Sequence, residues 1–129
     1  MKILVWDGQN EATENFLEMA QKYADIDLFE DLMDLAASAE SGDIAVFDLD
    51  TDTKLVEKTL KKIKKSSVNI ALVVLTNNLA SNEMAKHQKS KHGADIYLRS
   101  PVDEKLFINM VRPFVGDIEL WKEAESEQV

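Results

Sequence analysis

The sequence predicts an α/β fold in which one parallel β-sheet is covered by helices on both faces. Five short apolar runs alternate along the chain with five segments of helical length. The apolar runs are nearly continuous, as in strands buried on both faces of a parallel sheet. At 129 residues, with 45% hydrophobic and 30% charged residues, the chain has the size and composition of one domain.

The five predicted strands are runs rich in β-branched and other apolar residues, bounded by polar residues or glycine. They lie at 2–6, 26–29, 44–47, 70–75 and 95–98. The fourth run is the most apolar, which favours a central position in the sheet. The third run ends abruptly in three carboxylates, those of Asp48, Asp50 and Asp52.

The five predicted helices carry apolar residues at helical spacing between polar boundaries. They cover about 11–24, 31–41, 53–66, 79–92 and 104–115. Asn10 is a suitable N-cap for the first helix, and Gly42 is a C-terminal signal for the second. The fourth helix has almost no apolar stripe, so we expect it to lie loosely on the sheet.

Right-handed crossovers between these strands give a flavodoxin-like doubly wound sheet with the strand order 2-1-3-4-5. In this order strands one and three are neighbours, and Asp7 and Asp48 follow them at the same edge of the sheet. Two carboxylates at that edge make a candidate metal or phosphoryl site. Asp50 and Asp52 could add further carboxylates, or could form a solvated turn and cap the third helix.

The net charge of −9 is unevenly distributed along the chain. Residues 1–53 contain fourteen acids and two lysines, whereas residues 54–91 contain nine lysines and two acids. The acidic total, and the lack of aromatic residues among the lysines, disfavour nucleic-acid binding. No apolar run reaches the ~18 residues of a membrane span, no signal peptide is visible, and there is no cysteine, so we expect a cytoplasmic protein that does not bind membranes.

Four segments resemble, in order and spacing, the receiver domain of bacterial two-component response regulators, over residues 1–116. They are Lys2–Asp7, Asp43–Asp48, Val73–Thr76 and Gly93–Pro101. The resemblance implies the CheY-like fold, with Asp48 as phospho-acceptor and metal ligands at Asp7 and Asp48, and Asp50 could partly replace a missing acidic ligand. It also implies a conformational switch formed by Thr76, Tyr97, Ser100 and Pro101.

Three departures from the receiver pattern concern this chemistry. Gly8 stands where receivers carry a second acid, Ser100 stands where a lysine precedes the proline, and residues 49–53 lack the usual proline and glycine. In the family the acid pair holds Mg²⁺ and the lysine binds the phosphoryl oxygens. We therefore expect Mg²⁺ to bind weakly at most, with no other cofactor.

The sequence thus favours a degenerate receiver that serves as a protein-interaction module in bacterial signal transduction, and not an enzyme. One alternative is a phosphorylatable receiver that uses Asp48 as phospho-acceptor. A second is an Asp-x-Asp phosphatase of the haloacid-dehalogenase type, with Asp48 as nucleophile and Asp50 as acid/base.

The expected interaction surface lies within Leu79–Val115, because the fourth helix, fifth strand and fifth helix form the usual output face of receivers. Its residues are Lys86, His87, Lys89, Lys91, Tyr97 and Arg99. We expect an acidic partner, or an acidic segment of the same chain; the sequence leaves the oligomeric state open.

The fourth helix also weakly resembles atypical receivers of the gliding-motility (FrzS-like) type. His87 and His92 are five residues apart, so a metal pair is not expected on one helical face. Residues 117–129 read as an acidic helical extension or linker.

Overall fold

The computed structural model describes residues 1–116, which contain five β-strands. They are β1 (Lys2–Trp6), β2 (Asp25–Phe29), β3 (Ile44–Asp48), β4 (Ala71–Leu75) and β5 (Ile96–Leu98). The strands are parallel and lie in the order β2-β1-β3-β4-β5. The predicted fold class and strand order are therefore confirmed. The predicted extension at residues 117–129 lies outside the described residues.

Four α-helices connect successive strands, and a fifth follows β5. They are α1 (Glu11–Ala20), α2 (Leu32–Ala37), α3 (Thr53–Lys65), α4 (Ser81–Lys89) and α5 (Glu104–Val115), with a short 3₁₀ turn at Ala39–Ser41. Within residues 1–116 no helix combines the length and the apolar character needed to cross a bilayer. Asn10 and Asp52 cap α1 and α3 as expected, and Asp31 and Asp103 cap α2 and α5, with each side chain accepting a backbone N–H bond.

Two apolar layers hold the helices on the sheet, because successive strand residues point to opposite faces. One layer joins α1 and α5 to the sheet, and in it the Phe16 and Phe107 rings meet edge to face at 5.4 Å. The other layer buries Leu35 of α2 and Leu60 of α3 against strand residues such as Phe47. The continuous burial of β3 and β4 follows from coverage on both faces.

Helix α4 is shorter than the sequence predicts, and none of its residues is fully buried. It ends at Lys89, and Ser90 adopts extended backbone angles. Gly93 then lies against the last turn of the helix, where a Cβ atom would stand only 2.2 Å from the His87 carbonyl oxygen. The chain therefore turns back at residues 90–95 instead of continuing the helix to His92.

The two outer strands of the sheet differ from the central ones. β2 carries Asp25 and Asp27, and the Lys2 ammonium lies 3.3 Å from the Asp27 carboxylate. β5 has only three residues and is followed within three positions by Pro101. Both edges are thus short or charged.

Candidate functional site at the carboxyl edge of the sheet

Asp48 is the last residue of β3, and its side chain is buried, with 4% of the residue exposed. Its Oδ2 accepts hydrogen bonds from the Asn10 side-chain amide and from the Thr51 hydroxyl, the latter at 2.7 Å. Its Oδ1 accepts from the backbone N–H of Asp50 at 3.1 Å. Both oxygens of the predicted phospho-acceptor are therefore hydrogen-bonded by uncharged donors.

The neighbour of Asp48 on the loop after β1 is Gly8. A Cβ atom at Gly8 would lie 3.2 Å from Asp48 Oδ2, so a side chain at this position would face the acceptor directly. The Asp7 carboxylate instead serves its own loop, where Oδ1 accepts from the Gln9 N–H at 2.9 Å. The strand order brings the two loops together as predicted, but the position closest to Asp48 carries no carboxylate.

The predicted switch hydroxyl, that of Thr76, is hydrogen-bonded to the Asp50 carboxylate. The buried Thr76 hydroxyl donates to Asp50 Oδ1 at 2.6 Å, and the Asn77 N–H donates to Oδ2 at 2.7 Å. Each of the three carboxylates predicted to hold a metal thus already accepts at least one hydrogen bond from the protein. A metal ion that bound here would compete with these donors.

Beside Asp48 lies a cleft of about 560 Å³. Its lining includes the carboxylates of Glu11, Asp48 and Asp50 together with Ser100, and no lysine or arginine among the described residues contributes to it. Like charges about 4 Å apart repel by roughly 4 kcal/mol at an effective dielectric constant of ~20. A phosphoryl group entering this cleft would therefore meet negative charge without a compensating cation from its walls.

Ser100 and Arg99 are held by hydrogen bonds to the loop that follows β4. The Ser100 N–H donates to the Asn77 side-chain oxygen at 3.0 Å, and the Asn77 amide donates back to the Ser100 carbonyl at 3.2 Å. The Arg99 guanidinium donates to the Thr76 carbonyl at 3.2 Å and does not line the cleft. Pro101 does line it, after a cis peptide bond with Ser100. Arg99 therefore does not take the place of the missing lysine.

Tyr97 on β5 points toward α4. Its hydroxyl oxygen accepts from the Ala94 N–H at 3.0 Å and is hydrogen-bonded to His87 Nδ1. Burial raises the pKa of the Tyr97 phenol above its ordinary value, so the hydroxyl stays protonated at neutral pH. The aromatic residue of the predicted switch is held by α4 and the loop that follows it.

The structure corrects two expectations about the histidines. His87 is not exposed, since only 11% of its side chain is accessible, and His92 is not on the helix at all. Both imidazoles contact the Glu57 carboxylate, so the two histidines come together although they do not share a helical face. Lys86, Lys89, Lys91 and Arg99 are exposed as expected.

Sequence reasoning missed several residues of these two sites. Asn10 was assigned only as a helix cap, yet its amide nitrogen also donates to Asp48 and to Thr51. Glu57 was given no role from the sequence, but it contacts both histidines. Asn10 and Glu57 are recognisable only when neighbouring elements are placed in space.

Comparisons with known proteins support the fold. No protein-family profile matches the chain, and no curated protein matches it either. Among solved structures, the signal receiver domain of an HD domain-containing protein from Pseudomonas fluorescens Pf-5 is 16% identical, with a TM-score of 0.70 over 99% of this chain and 93% of its own. A response regulator receiver domain protein from Clostridium thermocellum is 19% identical, with a TM-score of 0.69 over 92% and 97%.

A third similar structure is the chemotaxis protein CheY4 of Vibrio cholerae. It is 15% identical, with a TM-score of 0.68 over 88% of this chain and 98% of its own. Several of the solved structures similar to this chain are receiver domains, which confirms the resemblance detected in the sequence at the level of fold. The chain has the CheY-like fold of response-regulator receiver domains.

Proposed function

We propose that this domain is a degenerate receiver of a cytoplasmic, bacterial-type signalling protein, which binds a protein partner without being phosphorylated. The observation that carries the proposal is the environment of Asp48. Its carboxylate is buried and held by three uncharged donors, in a cleft whose other ionisable lining residues are the acids Glu11 and Asp50. Phosphoryl transfer to aspartate depends on cations where negative charge accumulates.

Two further features support the absence of phosphorylation. Gly8 leaves the position nearest Asp48 without a metal ligand, and Mg²⁺ exchanges its waters reluctantly even in complete sites. The Thr76 hydroxyl, which would have to move toward a phosphoryl group, is bonded to Asp50. We accordingly expect weak Mg²⁺ binding at most, and no enzymatic activity.

Incubation with acetyl phosphate and Mg²⁺ is expected to leave Asp48 unmodified, because no positive charge of the cleft stabilises the acyl phosphate. Intact-mass analysis at neutral pH checks this, with Asp48→Asn as the matched control. NMR spectra recorded with beryllium fluoride should likewise remain unchanged. A mass increase of one phosphoryl group that disappears in Asp48→Asn would establish the alternative, a phosphorylatable receiver.

The proposed partner surface is a basic region formed by exposed lysines of α3, of α4 and of the loop after α4. A shallow cleft brings Lys91 next to Lys61, Lys64 and Lys65, and Lys86 and Lys89 are exposed on α4. The acidic residues 1–53 form β1 to β3, α1 and α2, whereas these lysines come from α3, α4 and the loop after α4. Such a region would attract an acidic partner or an acidic segment of the parent chain.

The double variant Lys86→Glu with Lys89→Glu is expected to weaken binding of a glutamate-rich peptide at least about tenfold at low ionic strength, because exposed charges steer association. Chemical-shift titration measures the affinity. In the wild type, binding should also weaken as salt shortens the ~10 Å screening length. The matched control is Lys22→Glu with Lys105→Glu, which changes the net charge equally on exposed residues outside the basic region. Binding that survives the first pair but fails in Asp48→Ala would place recognition at the Asp48 cleft.

A further inference from the structure

Three side chains of metal-ligand type converge on the face of the molecule formed by α3, α4 and the following loop. Glu57 comes from α3, His87 from the last turn of α4, and His92 from the loop. His87 Nε2 lies 3.0 Å and His92 Nε2 2.7 Å from the same carboxylate oxygen, Glu57 Oε2. One ligand atom from each of the three lies within 4.8 Å of the others. These are the only two histidines of the chain.

A hydrogen bond at the second ring nitrogen, Nδ1, fixes the orientation of the His87 imidazole. Nδ1 is hydrogen-bonded to the Tyr97 hydroxyl, whose oxygen also accepts from the Ala94 N–H. Histidines that bind metals almost always have their second nitrogen held in this way, which fixes the ring and directs the free nitrogen at the ion. Here the directed nitrogen is Nε2, and it faces Glu57.

The backbone around His92 is built to bring it back to α4. Gly93 is buried, and a Cβ atom there would lie 2.2 Å from the His87 carbonyl oxygen and 2.6 Å from that of Gln88. The Lys64 ammonium donates to the carbonyls of Ser90 and Gly93, at 3.4 and 3.2 Å. These contacts hold the loop, and with it the backbone of His92, against α3 and α4.

We propose that Glu57, His87 and His92 bind a Zn²⁺ ion, with a water molecule as fourth ligand. Two imidazoles and one carboxylate suit Zn²⁺ and its transition-metal neighbours, whereas Mg²⁺ prefers oxygen ligands alone. Ligands of a tetrahedral zinc ion stand about 3.4 Å apart, so the observed 2.7 and 3.0 Å separations need to open only slightly.

Accessibility also fits an ion that can enter and exchange. Exposure rises from 11% for the His87 side chain through 23% for Glu57 to 43% for His92. The site therefore opens to solvent on the His92 side and is closed where Tyr97 supports His87. A bound ion would join α3, α4 and, through His87, the β5 tyrosine in one unit. Without an ion, hydrogen bonds from the imidazoles to Glu57 would hold the same atoms together. The experiment therefore has to distinguish the metal-bound cluster from the hydrogen-bonded one.

The test is a titration of the full chain with Zn²⁺ alone, after removal of any affinity tag. Isothermal calorimetry gives stoichiometry and affinity, and ¹⁵N spectra of the histidine rings report which nitrogen changes. We expect one ion per chain in the micromolar range, with Nε2 of both rings shifted and Nδ1 of His87 still hydrogen-bonded. Co²⁺ should give the visible absorption of a tetrahedral site.

Variants separate this site from adventitious binding. His92→Gln and Glu57→Gln should each weaken Zn²⁺ binding at least about 100-fold, and Tyr97→Phe, which removes only the support of His87, about tenfold. Glu40→Gln, an equal loss of charge at an exposed position, should bind like the wild type. Because His92 is the most exposed of the three ligands, we expect His92→Gln to fold, and its NMR spectrum checks this. Undiminished binding in His92→Gln and Glu57→Gln, loss of binding only in Asp48→Asn, or no saturable binding by the wild type would overturn the proposal.

Discussion

Replacing Gly8 by aspartate and Ser100 by lysine is expected to convert Asp48 into a phospho-acceptor. The Cβ atom of an aspartate at residue 8 would lie 3.2 Å from Asp48 Oδ2, so its carboxylate would add an oxygen ligand for Mg²⁺ beside Asp48. A lysine at residue 100 would bring an ammonium group into the cleft that Ser100 shares with Asp48. Since each lost electrostatic contact of this kind costs about 10²–10³ in rate, phosphorylation by acetyl phosphate should rise at least about 100-fold over the wild type.

The substitution at Gly8 is sterically feasible. Its backbone angles are not of the left-handed type, and the atoms that a Cβ would approach, on Thr13, Asp48 and Asn10, belong to side chains that can shift. The control adds Asp48→Asn to the double variant and should abolish the adduct. Ser100→Lys alone should give an intermediate yield. If the double variant folds and remains unphosphorylated, the two replacements are not what silences Asp48, and the Thr76–Asp50 hydrogen bond becomes the prime candidate.

Gly93→Ala is expected to lower the free energy of unfolding by about 2–4 kcal/mol. The added methyl group would meet the backbone carbonyls of His87 and Gln88 at 2.2 and 2.6 Å, and backbone of a helix end cannot move aside as a flexible side chain can. Urea denaturation of the wild type and variant measures the difference.

Gly8→Ala is the matched control, because its Cβ would meet only side-chain atoms, at 3.1–3.3 Å. It should cost less than about 1 kcal/mol. If Gly93→Ala were no more destabilising than Gly8→Ala, the loop after α4 would not pack on the helix as described. In a folded Gly93→Ala protein, a displaced loop should also move His92 away from Glu57.

Much of the fold was predictable because it rests on local patterns. Runs such as Ile44–Phe47 are apolar on both faces, which in a small protein requires helices on both sides of a parallel sheet. The position of Asp48 at the carboxyl edge followed directly from the end of that run. The ends of helices with a weak apolar stripe were less predictable. Helix α4 stops at Lys89 because the tertiary packing of Gly93 outweighs the helix propensity of residues 90–92.

The site was predictable only in part, for a related reason. The loss of the second acid and of the lysine could be read directly, since Gly8 and Ser100 occupy those positions in the sequence. The partners of the remaining residues could not. The Asp50–Thr76 bond joins loops 26 positions apart, and Glu57 meets His87 across 30. Helical periodicity alone also overstates burial: Leu106 and Phe114 lie on the apolar stripe of α5, yet each is about half exposed within the part of the chain that the structure describes.

The two edges of the sheet limit how a partner can be recognised. Exposed edge strands can accept a strand from another chain, and proteins prevent this with short edges and charged residues. β2 presents Asp25 and Asp27, and β5 offers three residues before the chain reaches a proline, which cannot donate a backbone hydrogen bond. Both are poor templates for β-augmentation or for fibrillar stacking. Binding by this domain is therefore expected to use helix and loop surfaces, and the folded domain should resist edge-to-edge aggregation even when it is concentrated.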